Sequence, residues 1–85
     1  MKVHLERIYP DAHMARFYKV QVIPTLFGEW AVVREWGRIG QGGTVREDVQ
    51  SCEIQAIELA ERHVTRKQRR GYRTSTPRDD NGEPS

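Results

Sequence analysis

Eighty-five residues, 36% of them hydrophobic and 31% charged, with one cysteine, give one small domain with a single core and no internal disulfide. No apolar run approaches the roughly 20 residues that cross a bilayer, and the opening MKVHLERIYPD carries charge too early for a signal-peptide segment, so a bacterial-type cytoplasmic chain with no membrane partner is expected. The formal charge is only +2, yet residues 62–78 hold seven bases (Arg62, Arg66, Lys67, Arg69, Arg70, Arg73, Arg78) and no acid, leaving seven bases against twelve acids elsewhere, a net of −5; such segregation fits an anionic partner for one face, although part of the run also complements a helix dipole.

In chain order, VHLERIY (3–9) alternates apolar with polar residues and precedes Pro10-Asp11, which predicts a strand and a turn. RFYKVQVI (16–23), rich in aromatic and β-branched residues and closed by Pro24, predicts a second strand with Tyr18, Val20 and Val22 on one face. EWAVVREWGRIG (29–40) follows as a third, placing Trp30, Val32, Arg34 and Trp36 together. After GQGG, TVREDV (44–49) reads as a fourth. Short links between consecutive strands favour an antiparallel meander.

Helical spacing begins after Ser51, a candidate N-cap, and sets Ala56, Ile57, Ala60, His63 and Val64 on one arc. Arg69 and Arg70 fall in the last turn, with Gly71 as the residue that ends the helix. TSTPRDDNGEPS (74–85) contains no apolar residue and reads as a disordered polar tail. The expected fold is therefore α+β: a small antiparallel four-stranded sheet with one long C-terminal helix packed on one face, over residues 1–73. The other sheet face is left polar, loop-covered or open to a partner.

Of the two tryptophans, Trp30 lies in the Val-rich part of its strand and is the expected core residue. Trp36 abuts a turn, and both a packing and a binding role are open to it. Gly37, Gly40, Gly42 and Gly43 signal a hairpin turn; an anion-accepting nest beside Arg38 is the alternative. The spacing matches neither a P-loop nor a dinucleotide fingerprint. His4, His13, His63 and Cys52 lack ligand spacing, so no metal, cofactor or catalytic set is expected. His63 reads as a satisfied core histidine and Cys52 as a small packing residue.

With FYKVQV, REWGRIGQGGTV and KQRRGY in order, the chain resembles the WGR domain family, named for the triplet that stands here as Trp36-Gly37-Arg38. The resemblance runs from about residue 5 to 73. It implies a sheet-plus-helix module of the kind found in DNA-damage-responsive poly(ADP-ribose) polymerases, in bacterial proteins similar to a molybdate-metabolism regulator, and in stand-alone bacterial chains. In the polymerases the motif tryptophan meets a sugar at a DNA end, and the motif arginine joins that site to neighbouring domains. Carried over, Trp36 stacks, Gly37 keeps the ring uncrowded and Arg38 contacts a phosphate or a partner. The sequence holds no zinc finger and no room for a polymerase catalytic domain.

The expectation is a non-enzymatic, monomeric nucleic-acid-binding module, for DNA ends or nicks rather than RNA, with little sequence preference. Its candidate residues are Trp36, Gly37, Arg38, Arg34, Arg46, Arg66, Lys67, Arg69 and Arg70. The alternative is a protein-interaction module using the same Trp-Gly-Arg surface, because tryptophan and arginine also dominate protein hot spots.

Overall fold

Alternating apolar and polar residues leave one face of each of the first three strands to bury, and the helix supplies the cover. A computed structural model describes residues 1–75. The elements are β1 (Lys2–Tyr9), a 3₁₀ turn (Pro10–Ala12), β2 (Met14–Pro24), β3 (Trp30–Arg38), β4 (Thr44–Gln50), α1 (Glu53–Arg69) and β5 (Arg73–Thr74). The first four strands pair as the expected antiparallel meander. The sheet nevertheless has five strands, in the order β4-β3-β2-β1-β5, and not four.

The fifth strand is the main departure from the sequence reading. It returns along the free edge of β1, pairing Leu5 with Thr74 and Glu6 with Arg73. The Ser75 N–H extends the ladder by donating to the His4 carbonyl at 2.9 Å. Arg73-Thr74 carries no hydrophobic pattern, so its conformation is imposed by the edge it covers rather than by its own side chains. This strand crosses the boundary expected between residues 73 and 74; the rest of the expected disordered tail, 76–85, lies outside the described residues.

Leu5, Val20 and Val32 are fully buried where the middle strands meet α1, with Tyr18, Val22, Ala56, Ala60 and Tyr72 completing the core. Burying each such aliphatic side chain stabilises the fold by about 1.5–3 kcal/mol. Ala56 and Ala60 have no measurable exposure, so their small side chains let the helix lie close on the sheet. The 17-residue helix starts one residue later than expected: Cys52, not Ser51, is the N-cap, and it makes no capping bond through its side chain. The Ser51 hydroxyl instead donates to Gln55 Oε1 at 3.1 Å.

The helix ends as its sequence predicts. Gly71 takes φ +98°, a left-handed conformation that costs an L-residue with a side chain energy. Its N–H donates to the Gln68 carbonyl at 3.0 Å, and the Tyr72 N–H donates to Lys67 at 3.1 Å. Those two bonds are the Schellman arrangement. They satisfy the last helical carbonyls and turn Tyr72 back into the core, which in turn aims the chain along β1. No helix among the described residues is long and apolar enough to cross a membrane.

Candidate nucleic-acid interface

Period-two alternation sends residues 30, 32, 34, 36 and 38 of β3 to the helix-covered face. Past Val32 that face becomes cationic and aromatic. The strand register sets Tyr18 beside Trp36, Arg16 beside Arg38 and Arg46 beside Arg34. α1 lies on the same face, so its C-terminal turns add His63, Arg66, Lys67 and Arg70 to this end of the sheet. The helix-end cations and the Trp36 edge thus lie on one side of the molecule.

Trp36 is half-buried and packs against the core cluster; Trp30 does the same, so it is not the fully buried core residue expected. The Trp36 ring stacks on Tyr18 with centroids 6.2 Å apart, and the Arg34 guanidinium lies 5.6 Å from its centroid. Its remaining surface divides two shallow hollows. One is about 290 Å³ and lined by Tyr18, Arg34, Trp36, His63, Arg66, Lys67 and Arg70. The other, about 470 Å³, is lined by Arg16, Trp36, Gly37, Arg38, Lys67 and Tyr72. Among the described residues, no acid lines either hollow.

The electrostatics follow from this crowding of like charge. Burial lowers the Lys67 pKa from its ordinary value, and Arg70, Arg16, Arg34 and Arg66 lower it further. The Lys67 ammonium finds aromatic partners instead, 4.9 Å from the Tyr18 centroid and 5.3 Å from that of Tyr72. Such contacts are worth about 0.5–2 kcal/mol each. Arg34 stands opposite Arg46, a repulsive pairing, and is relieved by Asp48 at 3.4 Å. Arg34 Nε and His63 Nε2 are buried atoms with no hydrogen-bond partner. The face therefore gathers several cations whose charge an incoming anion can offset.

The expected site residues separate into three groups. Arg34, Trp36, Gly37, Arg38, Arg66, Lys67 and Arg70 line the two hollows. Arg46 lines neither hollow; it stands exposed on β4 as the cross-strand partner of Arg34. Arg69 does not join them: it lies in a groove along the helix with Glu58, Glu61, Arg62, Thr65 and Arg66. A 100° turn per residue carries adjacent Arg69 and Arg70 to different sides.

Gly37 also has a packing role besides the one its motif position implies. A Cβ there would meet Gly43 Cα at 3.1 Å and Phe17 Cε1 at 3.6 Å, on the sheet face opposite Trp36. At Gly43 the fit is tighter still, 2.5 Å from the Trp36 carbonyl oxygen and 2.9 Å from Phe17 Cζ. These two glycines let the backbone strands and the Phe17 ring approach each other, and so hold the Trp36 main chain in place. Of the four glycines in the turn only Gly40 has a positive φ, +88°, and the Gln41 N–H closes the turn onto the Arg38 carbonyl at 3.1 Å.

Two further expectations change. His63 is only partly buried and its Nε2 is unsatisfied, so it is not a satisfied core histidine. Cys52 is exposed rather than packed. Arg16 and Tyr72 escape the sequence reading because register and the helix-ending turn bring them to the site. Among the described residues no group of three or more His, Cys, Asp or Glu side chains could hold a metal ion.

Comparison with known proteins supplies the remaining findings. A family model described as WGR domain matches residues 1–79. An uncharacterized protein of Sinorhizobium fredii, y4dW, is 36% identical over 72 residues, covering 85% of this chain and 35% of that protein. The chain thus spans about a third of the length of that relative. No solved structure matches significantly.

Proposed function

The chain belongs to the WGR domain family, and from that premise we propose that it is a non-enzymatic nucleic-acid-binding module that takes DNA at ends or nicks, with little base-sequence preference. The observation that carries this reading is a half-exposed tryptophan bounded on both sides by arginines and a lysine, with no acid among the described residues lining either hollow. Phosphates enter the cationic hollows and release their condensed counterions, which supplies most of the affinity. Where a strand terminates, the last sugar or base is free to lie against the Trp36 ring, a contact worth about 1–3 kcal/mol that requires no base-edge recognition. Arg38 and Arg16, paired across β2 and β3, then hold phosphate oxygens in the forked geometry that a lysine lacks. The module acts as a cytoplasmic monomer on this reading.

Fluorescence anisotropy with a labelled duplex carrying a nick or a blunt end tests the proposal. Binding in the micromolar range or weaker is expected, and it should weaken as salt rises. Absence of binding at low salt, or binding indifferent to salt, removes the electrostatic mechanism. An NMR titration with the same duplex should move the Trp36, Arg38 and Arg70 amides together. If those amides respond only to a protein partner, the surface is a protein-interaction site.

A further inference from the structure

Resting on that nucleic-acid reading, we propose that His63 is a proton-dependent ligand of the polyanion, so that binding takes up a proton from solution. His63 lines the hollow beside Trp36 together with Arg34, Arg66 and Lys67. Its Nε2 is buried and has no hydrogen-bond partner among the described residues. A neutral imidazole carries a hydrogen on only one ring nitrogen, whereas the protonated ring donates from both. A phosphate seated in the hollow supplies the acceptor that the ring lacks, and reaching Nε2 requires the ring to turn that atom toward the hollow.

The charges around the ring set the direction of the coupling. Arg62, Arg66 and Lys67 share its helix, Arg34 projects from β3, Asp48 from β4 and the Tyr18 phenol from β2. Burial first, then the Arg34 and Arg66 charges, hold the free ring below the ordinary histidine value of 6.5; Asp48 opposes them, and Arg62 adds slightly. Asp48 is itself engaged by Arg34 at 3.4 Å. A bound phosphate reverses the balance: it offsets the repelling guanidinium groups and accepts from the ring. Protonation is thus easier in the complex than in the free protein.

The sign follows from linkage. Above both pKa values the ring is neutral in either state and affinity does not depend on its proton. Between them the complex holds a proton that the free protein lacks, so affinity falls as pH rises, approaching about tenfold per pH unit. Stability of the free fold runs the other way. Its depressed histidine binds protons less readily than the unfolded chain, so stability is lost as pH falls through the ordinary histidine range.

The test uses a duplex oligonucleotide with hydroxyl ends, which has no terminal phosphate titrating near neutrality, at constant low ionic strength from pH 5.5 to 8. For the wild-type chain, anisotropy should show binding tightening as pH falls. Calorimetry in buffers of different ionisation enthalpy should show uptake approaching one proton. The His63 ring resonance should titrate at higher pH when the duplex is saturating, and His63→Gln should abolish the pH slope attributable to this site. Flat binding, an undiminished slope in His63→Gln, or an unmoved His63 titration overturns the coupling while leaving DNA binding intact. If no duplex binds at any pH, both readings fall together. Should His63→Gln fail to fold, the wild-type NMR titration decides alone.

Discussion

At the residue scale, Trp36 has two duties that mutation must separate. Its ring packs on Tyr18 and also walls the two hollows, so Trp36→Ala should lower both stability and affinity. The binding loss is expected at about 1–3 kcal/mol, measured by anisotropy well below the variant's melting temperature. Arg38 offers the cleaner separation, because it is exposed and its side chain forms no ion pair among the described residues. Arg38→Ala should leave stability within about 0.5 kcal/mol while weakening DNA binding. Unchanged affinity in that variant would remove the motif arginine from the site. The glycines separate in the same way. Gly43→Ala forces a methyl against the Trp36 carbonyl and Phe17 and should destabilise by about 1–3 kcal/mol, whereas Gly42→Ala meets open space and should stay within about 0.5 kcal/mol. Equal melting temperatures for the two would contradict the close approach seen here.

At the scale of elements, β1, β2, β3 and the helix are legible because each carries a period that its burial requires, whereas β4 alternates without burial, its Val45 and Val49 remaining exposed. Tyr18, Val20 and Val22 alternate with polar neighbours, and Ala56 and Ala60 are four apart; those residues are the ones buried. β5 has no such signature, since two polar residues cannot announce a strand whose existence depends on the β1 edge. What makes it form is legible one step earlier, in Gly71. The left-handed turn there points Tyr72 into the core and delivers residues 73–75 to β1. Gly71→Ala should therefore cost about 1–2 kcal/mol from the left-handed conformation, with added crowding against the Tyr9 hydroxyl at 3.2 Å and Arg7 Nε at 3.3 Å. Thermal unfolding checks the stability loss. Hydrogen exchange should also quicken at the Ser75 amide, which donates to His4; an unchanged Ser75 rate would disconnect the turn from the strand.

For the whole molecule, the cationic face is assembled from β2, β3, β4 and α1, and only part of it can be read along the chain. The run of bases at 62–78 reveals charge segregation, but a count of arginines does not say which ones converge. Arg16 becomes part of the face only because β2 pairs in the register that sets it beside Arg38. Arg69 leaves it because the helix turns it towards Glu58 and Glu61. The adjacent pair Arg69-Arg70 consequently tests the three-dimensional site against bare charge. If affinity depended on net charge alone, Arg69→Gln and Arg70→Gln would weaken binding equally. With the hollow beside Trp36 as the phosphate site, Arg70→Gln should weaken binding more and reduce the slope of log affinity against log salt by about 0.9, the value for one lost phosphate contact. Arg69→Gln should retain nearly the wild-type slope, since that side chain lines the groove along the helix and neither hollow beside Trp36. Titrations of both variants across the same salt series decide the matter, and equal slopes would return the affinity to diffuse attraction between a basic helix and a polyanion.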